Sequence, residues 1–340
     1  DALVAYHEKD IPSPETLRHR VMAFAACRGA IKRGDPLNIR QMKELINDLF
    51  KTSRPFVCPH GRPTIVRFTP GELGRLFHMK IGVTVSKDAS EDLIHKAKEA
   101  ARELNLPWME RRDTLEETGG EDCEGLLEFT RKCPVYRTRD NLYKFHLGTA
   151  KLRIAQMKHG HADRLVKLLP DKEYLTVVDA TFGAGGDSIV LSWALQGKGQ
   201  IISLEKSPVL WAIGQDGISG FSDADEDVLQ AIRRIHLIHD DFAHWLQQAK
   251  SNSVDVVYFD TMFRHPVKKD INNRNAFRNA ACYDVLTEDV LTQAVRAARC
   301  RVIVKERPFS PIFKNNAFTY VDSKKGQSTA YGVIVCQNKD

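Results

Sequence analysis

The feature that most constrains the fold is a regular alternation of short apolar runs with segments long enough to form helices. Five such runs follow one another at residues 175–180, 200–204, 235–239, 254–259 and 301–305. Apolar runs of this length are typical of buried strands, and helical connections between them favour a parallel sheet. Two further runs, at 318–321 and 331–335, flank a polar turn and predict a hairpin. We therefore predict an α/β fold whose seven-stranded sheet contains one antiparallel strand.

The residues before this alternation predict a smaller α+β unit. Its expected elements are a strand at 81–85, an amphipathic helix at 90–104, and short strands near 108–111, 126–130 and 135–138. The polar stretch 111–125 is expected to be a loop, and 150–169 is expected to be helical. We therefore predict a small cap at residues 80–149 and a main domain at residues 150–340.

Residues 1–79 differ in charge and predict a third unit. The first 80 residues hold 14 basic and 8 acidic side chains, which accounts for the whole net charge of +6. Such an excess suits contact with nucleic acid, although it is also common on ordinary surfaces. The expected elements are helices at 19–31 and 39–50, a strand at 64–68 and a short helix that Thr69 caps.

Cysteine usage and hydropathy limit the cellular compartment. The chain has 7 scattered cysteines, and an odd, widely spaced set is not typical of a secreted disulfide framework. No apolar run approaches the length of about 20 residues that a membrane helix needs. We expect a protein of the reducing cytoplasm that does not cross a membrane.

A glycine-rich turn follows the first strand of the main domain and predicts a ligand site. Gly183 and Gly185 lie in this turn, at the edge of the sheet where doubly wound folds bind ligands. The dinucleotide fingerprint would need glycine at position 188, where the chain has Ser188, so an oxidoreductase is not favoured. Glu205 ends the next strand and can accept hydrogen bonds from ribose hydroxyls. His239-Asp240-Asp241 closes the third strand, where a carboxylate can reach an adenine amine, so the turn and acids together predict a nucleoside ligand.

The fourth strand of the main domain runs directly into the sequence Asp260-Thr261-Met262-Phe263. Methyl transfer is an in-line displacement, so a protein mainly positions the nucleophile and excludes water. Asp260 could accept hydrogen bonds from an exocyclic amine, and Phe263 could stack on a planar base. The alternative is an aspartate that caps the next helix beside a buried phenylalanine.

Residues 81–340 resemble a family of S-adenosylmethionine-dependent methyltransferases that includes the small-subunit rRNA guanine-N2 methyltransferases. The matching stretches are 178–187, 204–208, 257–263 and 304–307, with a further similarity at 145–154. The resemblance implies a Rossmann-like class I methyltransferase fold with S-adenosyl-L-methionine as cofactor. It implies that the cofactor is held by Asp179, Gly183, Gly185, Glu205 and Asp241. It also implies that Asp260 and Phe263 face the substrate, although Thr261 stands where the family usually has proline.

A substrate base in structured RNA would have to leave its stack to reach this site. Basic side chains near the site are candidate phosphate contacts, or equally a solvated basic surface. These are Lys151, Arg153, Arg264, Lys268, Lys269, Arg274 and Arg278.

The N-terminal segment contains potential metal ligands. Cys27, Cys58 and His60 are residue types that bind zinc, although two buried thiols and a hydrogen-bonded histidine would be more common. Residues 1–79 resemble the end of the MutL mismatch-repair C-terminal domain, through the stretches 26–28, 34–35 and 58–66. The resemblance implies an incomplete metal site, because the acidic upstream segment of nuclease-active members has no match here.

Two interpretations remain open at this point. The first is a methyltransferase that acts on a nucleic-acid base, with guanine N2 of the small ribosomal subunit as the best guess, fused to a truncated MutL-like segment. The second is a mismatch-repair interaction or dimerisation module in which the methyltransferase fold is inert or acts on a small molecule. In either case residues 1–79 could contact DNA or a repair protein and could form a homodimer.

Overall fold

The computed structural model describes most of the chain from residue 80 onward and a shorter part before it. The described residues are 18, 21–22, 39–53, 55–56, 80–120, 123–261, 274–282, 286–324 and 326–336. The chain divides into two compact units, Asp1–Phe68 and Thr69–Asp340. The sequence-predicted divisions at residues 79 and 149 stay predictions.

In the first unit, one predicted helix lies among the described residues. Helix α1 (Ile39–Lys51) confirms the helical spacing of apolar residues. Thr52 closes its C-terminal end, because the Thr52 hydroxyl donates a 2.7 Å hydrogen bond to the Leu49 carbonyl. The predicted helix at 19–31, the strand at 64–68 and the Thr69 cap fall largely or wholly outside the described residues.

A four-stranded sheet opens the second unit. Strands β1 (Lys80–Val85), β2 (Cys123–Phe129), β3 (Pro134–Arg137) and β4 (Leu142–Tyr143) are adjacent in that order. Helix α2 (Glu91–Glu103) connects β1 to β2, which are parallel, and the later pairs are antiparallel. This arrangement agrees with the small α+β unit that the sequence predicts.

Two local predictions within this sheet region were wrong. The expected strand near 108–111 is a single bridge between Trp108 and Val83. The expected loop at 111–125 contains helix α3 (Leu115–Gly119) and the start of β2. Helix α3 forms because Thr114 and Glu117 make a capping box, in which each side chain accepts a hydrogen bond from the other's backbone amide.

The main sheet contains seven strands among the described residues. In chain order they are β5 (Leu175–Asp179), β6 (Gly199–Glu205), β7 (Ile235–His239), β8 (Val254–Asp260), β9 (Ala298–Glu306), β10 (Tyr320–Ser323) and β11 (Ala330–Val335). Their spatial order is β10-β11-β9-β8-β5-β6-β7. Strand β11 is antiparallel to both neighbours, while β5 to β9 pair in parallel. The seven-stranded α/β sheet with one antiparallel strand is confirmed.

Helices connect and cover these strands. They are α4 (Thr149–Lys158), α5 (Gly186–Leu195), α6 (Pro208–Gly220), α7 (Glu226–Arg233), α8 (Phe242–Gln248), α9 (Arg274–Ala280) and α10 (Glu288–Ala297). Helix α4 is shorter than the predicted 150–169, because Gly160 has φ +83° and breaks the helical path. A short 3-10 turn at Val166–Leu168 follows.

The core lies on both faces of the main sheet, as strand β8 illustrates. Val256 and Tyr258 belong to the buried cluster that includes α5, α6 and the small sheet. Val257 and Phe259 belong to the cluster that includes α8 and α10. Alternation along a strand sends successive side chains to opposite faces, so a continuous apolar run is expected for a sheet covered on both sides. No helix among the described residues is long and apolar enough to cross a membrane.

Candidate active site

Three carboxylates meet at one edge of the main sheet. Asp179, Glu205 and Asp260 are the last residues of β5, β6 and β8, and β5 lies between the other two strands. An open cleft lies at this edge. Its lining comprises Ala180, Thr181, Gly183, Leu204, Glu205, Lys206, Leu210, Asp240, Phe242, Asp260, Thr261, Phe277, Ala281 and Cys282.

The glycine turn after β5 depends on left-handed backbone conformations. Gly183 has φ +54° and Gly185 has φ +77°, values that side chains other than glycine rarely adopt. A Cβ atom on Gly185 would lie 2.7 Å from the Phe182 ring. Phe182 is itself fixed, because its backbone amide donates a 2.9 Å hydrogen bond to the Leu204 carbonyl. Gly185 is therefore needed to bring the turn close to the sheet.

We expect Gly185→Ala to destabilise the protein by roughly 2–4 kcal/mol, because left-handed strain and overpacking add. Gly186→Ala is a matched control, since no atom beyond its chain neighbours and its own helix backbone lies within 4 Å of its Cβ position. Urea unfolding of the two variants measures the difference. Equal unfolding midpoints for both variants would contradict the role of Gly185.

Backbone amides hold the Glu205 carboxylate at the cleft. Its Oε2 atom accepts a 2.9 Å hydrogen bond from the Gly183 amide, and Oε1 accepts a 2.8 Å bond from the Ser207 amide. Ser207 also caps α6, and its hydroxyl donates to the Ala280 carbonyl at 2.6 Å. One carboxylate thus joins the glycine turn to the start of α6, which in turn is tied to α9.

The two adjacent aspartates after β7 have different surroundings. Asp241 caps α8 by accepting a 2.8 Å bond from the Ala243 amide, and its Oδ2 pairs with Lys206 at 2.7 Å. Burial opposes ionisation of Asp241, but the Lys206 ammonium outweighs it and holds the pKa below its usual range. Asp240 and Phe242, rather than Asp241, line the cleft. The predicted contact between Asp241 and an adenine amine stays a prediction.

Asp179 lies behind the turn and does not line the cleft. It is buried, and it accepts hydrogen bonds from the Thr181 amide at 3.1 Å and from the Ser188 hydroxyl at 2.5 Å. Burial raises the pKa of Asp179 to about 7, despite the opposing hydrogen bond from Ser188. Its hydrogen bonds therefore join the turn to the start of α5, and direct contact with a cofactor stays a prediction.

A chain of charged groups supports Asp260. The Lys305 ammonium lies 2.7 Å from Asp260 Oδ2 and 2.9 Å from Asp187 Oδ2. Asp187 also accepts a hydrogen bond from the Tyr258 hydroxyl at 2.7 Å and pairs with Arg153. The Asp260 amide donates to the Thr181 hydroxyl at 2.6 Å, which links the strand end to the glycine turn.

The pKa values of Asp260 and Asp187 are shifted in opposite directions. Burial raises the pKa of Asp260 to about 6, with Lys305 opposing the rise and Asp187 adding to it. Burial also disfavours the charged form of Asp187, but Lys305 and Arg153 outweigh this and hold its pKa well below the usual range. Asp187 is therefore an anion at neutral pH. Asp260 can gain or lose a proton at a pH close to neutral.

The predicted aromatic and basic contacts have mixed outcomes. Phe263 lies outside the described residues, whereas Phe277 on α9 lines the cleft and packs against Tyr143 with ring centroids 5.0 Å apart. Arg153 is committed to Asp163 and Asp187, so it is not an available phosphate contact as proposed from the sequence. Lys151 is exposed. The positions 264, 268 and 269 and the side chain of residue 274 are not described.

The predicted metal ligands Cys27, Cys58 and His60 also lie outside the described residues. Within the described ranges, no group of three or more histidine, cysteine, aspartate or glutamate side chains is arranged to hold a metal ion.

Sequence reasoning missed several residues of the site. Lys305 and Asp187 fall within stretches that carried the family resemblance, yet neither had an assigned role. Lys305 directly follows the buried Val304, and Asp187 lies two residues before the buried Ile189, where an unpaired charge would be costly. A charged residue so close to the core could have indicated that each of the two has an oppositely charged partner. Phe277 gave no such signal.

The fold is that of a class I methyltransferase. A solved SAM-dependent methyltransferase from Neisseria gonorrhoeae superposes with a TM-score of 0.53, covering 76% of this chain and 97% of that one at 20% identity. Residues 139–332 match the family model described as "Putative SAM-dependent methyltransferase". The protein YpiP of Bacillus subtilis (strain 168) is 31% identical over 254 residues, which are 74% of this chain and 98% of YpiP. The chain belongs to this family of SAM-dependent methyltransferases.

The N-terminal segment is similar to different proteins. The DNA mismatch repair protein MutL of Chlorobaculum parvum is 42% identical over 77 residues, which are 23% of this chain and 12% of that MutL. MutL of Exiguobacterium sibiricum is 49% identical over 63 residues, or 10% of its length. The similarity therefore spans about a tenth of each MutL.

The residues of the cleft fit the cofactor S-adenosylmethionine. Glu205 offers carboxylate oxygens suited to a ribose diol, and Leu210 and Phe242 offer apolar surface suited to an adenine ring. Gly183 lines the cleft without a side chain, in a left-handed backbone conformation that other residues rarely adopt. The fold, the family and the residues of the cleft thus all agree with a class I methyltransferase that uses S-adenosylmethionine.

Proposed function

We propose that the chain methylates an amino nitrogen of a nucleic-acid base, with guanine N2 of small-subunit rRNA as the leading candidate. The observation that carries the proposal is Asp260, a carboxylate that lines the cofactor cleft and is oriented by Lys305. An exocyclic amine needs an acceptor of this kind for its hydrogens. The family resemblance from the sequence supports the choice of guanine N2.

The cleft residues and the acids beside them have proposed roles toward the cofactor. Glu205 would accept hydrogen bonds from the ribose hydroxyls, and Gly183 and Gly185 would let the turn approach the methionine portion. Asp241 would reach the adenine amine, with its neighbour Asp240 on the cleft wall. Asp179 would hold the turn in place through Thr181 and Ser188.

The proposed chemistry assigns the proton to Asp260. S-adenosylmethionine, when bound, supplies a methyl group on a positively charged sulfur. Asp260 would accept a hydrogen bond from the substrate amine and so align the nitrogen lone pair with the methyl carbon. As the nitrogen–carbon bond forms and the sulfur keeps the electron pair of the broken bond, the amine becomes cationic. Asp260 would then take its proton. Phe263 would stack on the base.

The pH dependence of the rate follows from Asp260. Since its pKa is about 6, the acceptor form is present above that pH, and the rate should fall about tenfold for each pH unit below it. Rates measured at saturating cofactor between about pH 5 and 8 test this, because saturation removes effects on cofactor affinity. A flat profile through pH 6 would contradict the role of Asp260.

Unfolding in acid should not be the cause of the fall in rate below pH 6. The folded-state pKa of Asp187 lies below its ordinary value of 3.8, so the stability it contributes is present above that value and is lost only as pH falls further. Asp260 and Asp179 have raised pKa values, so their protonation in acid favours the folded state. A melting curve at each pH provides the control.

The substrate class is tested by label transfer. The purified chain is incubated with methyl-labelled S-adenosylmethionine and, separately, with unmodified small ribosomal subunits, DNA or free nucleotides. Label in rRNA, found at guanine N2 after nucleoside digestion, is the expected result. Label confined to DNA or to a small molecule would overturn the RNA assignment. A ribosomal substrate would also agree with the cytoplasmic location expected from the cysteines.

A second proposal concerns residues 1–79, whose similarity to MutL favours a protein-contact role. We propose that this segment is a dimerisation or repair-protein contact, with Cys27, Cys58 and His60 as an incomplete zinc site. Helix α1 presents Met42, Ile46 and Phe50 at 46–55% exposure, which suits such a contact. Sedimentation and zinc content of the full chain test this. A metal-free monomer at micromolar concentration would contradict dimerisation and the zinc site.

A further inference from the structure

We propose that Lys305 is a positioning residue for methyl transfer, which holds Asp260 charged and oriented toward the acceptor amine. This inference rests on the proposed function of Asp260 as the amine acceptor. It adds a residue to which the sequence pattern assigned no role.

Geometry places the Lys305 ammonium between two carboxylates. Strands β8 and β9 are parallel neighbours, and Asp260 is the register partner of Lys305. The ammonium reaches Asp260 Oδ2 at 2.7 Å and Asp187 Oδ2 at 2.9 Å, and the Lys305 side chain is only 19% exposed. An ammonium has three donors, so two of its hydrogens are directed at fixed acceptors.

The two carboxylates differ in how firmly they are held. Asp187 is buried on α5, where Tyr258 and Arg153 bind it in addition to Lys305. Asp260 is 31% exposed and faces the cleft. Asp187 therefore fixes the ammonium, and the ammonium fixes Oδ2 of Asp260. This leaves Oδ1 as the oxygen that we assign to the amine.

The charges around Asp260 make Lys305 necessary. Asp187 from α5 and Asp179 from β5 both repel an anion at this position, and burial adds to the cost. Tyr258 from β8 and Tyr331 from β11 also face this cluster. Arg153 from α4 binds the far side of Asp187. Lys305 is the cation in direct contact with Asp260 among the described residues, so its loss should leave Asp260 protonated at neutral pH.

The experiment follows Asp260 directly in the ligand-free chain. Side-chain carboxyl carbons of 13C-labelled aspartate are titrated by NMR, with Asp260→Asn assigning the signal. Lys305→Met should raise the pKa of Asp260 by about 1–3 units, the usual effect of an adjacent opposite charge. Asp187→Asn should lower it, because a neighbouring anion is removed. The two variants thus predict shifts of opposite sign.

Lys172→Met is the matched control. Lys172 pairs with the buried Asp255 at 2.6 Å, at the other end of the same strand β8. This variant loses a similar ion pair in the same sheet but should leave the titration of Asp260 unchanged. The acid limb of the rate profile should move with the NMR titration in Lys305→Met and stay in place in Lys172→Met.

The outcomes separate this inference from the proposed function. An unchanged Asp260 titration in Lys305→Met would overturn the inference, whatever the substrate is. If Lys305→Met does not fold, Lys305→Gln takes its place, and an unchanged Asp260 titration in that variant would overturn the inference. Failure of the wild-type chain to methylate RNA would contradict the proposed substrate. The NMR titrations would still test whether Lys305 sets the pKa of Asp260.

Discussion

Glu205→Ala should lower the affinity for S-adenosylmethionine by at least about 100-fold, because two hydrogen bonds to a charged acceptor contribute about 1.5–3 kcal/mol each. The carboxylate lies at the end of β6, where the Gly183 and Ser207 amides hold both oxygens at the cleft. Isothermal titration calorimetry measures the change.

The control for Glu205 has to separate lost binding from lost structure. Glu128 is similarly buried and pairs with Arg137 at 2.9 Å, but it lies on β2 of the small sheet. Glu128→Ala should cost stability and retain affinity for the cofactor. Unchanged affinity in Glu205→Ala, in a variant that melts cooperatively, would refute the assignment of the ribose site.

Asp260→Asn should reduce methyl transfer by about 100- to 10,000-fold, the usual contribution of a positioned proton acceptor. The amide retains the shape of the side chain but does not take a proton, so cofactor affinity should stay within about twofold. Single-turnover label transfer and calorimetry on the same preparation separate the two effects.

Asp255→Asn tests the specificity of the Asp260 effect. Asp255 lies near the start of β8 and is paired with Lys172 and Arg299, away from the cleft lining. Its substitution should destabilise the fold without lowering the rate per folded molecule. A normal transfer rate in Asp260→Asn would require another proton acceptor and would remove the basis of the proposed mechanism.

The strands of the main sheet were predictable because each signal is local. The run 254–259 is apolar throughout since both faces of β8 are covered, and Val256 and Val257 are buried in different clusters. Helix α3 was missed because a helix of five residues has too little periodicity to stand out from a polar stretch. Its capping box was present in the sequence, but it was outweighed by the surrounding charge.

The site was predictable only where it depends on strand ends. Glu205 and Asp260 follow from the rule that parallel strands present their carboxyl ends at one edge. The pairing of Lys305 with Asp187 joins residues 118 positions apart, and no local pattern encodes it. The neighbours Asp240 and Asp241 were not distinguishable, because their orientations depend on where α8 begins. That start is set by the Asp241 cap.

The position of β9 between β8 and β11 has a consequence for synthesis of the chain. Strand β8 can pair with β9 once residues 298–306 have left the ribosome, but β9 keeps an open edge until residues 330–335 follow. Arg164, far earlier in the chain, then secures the hairpin by binding Asp322 at 2.9 Å. A nascent chain that stalls between these points exposes an unpaired strand beside the candidate catalytic carboxylate, and such edges promote aggregation. Completion of the last hairpin is thus the step that protects the strand carrying Lys305.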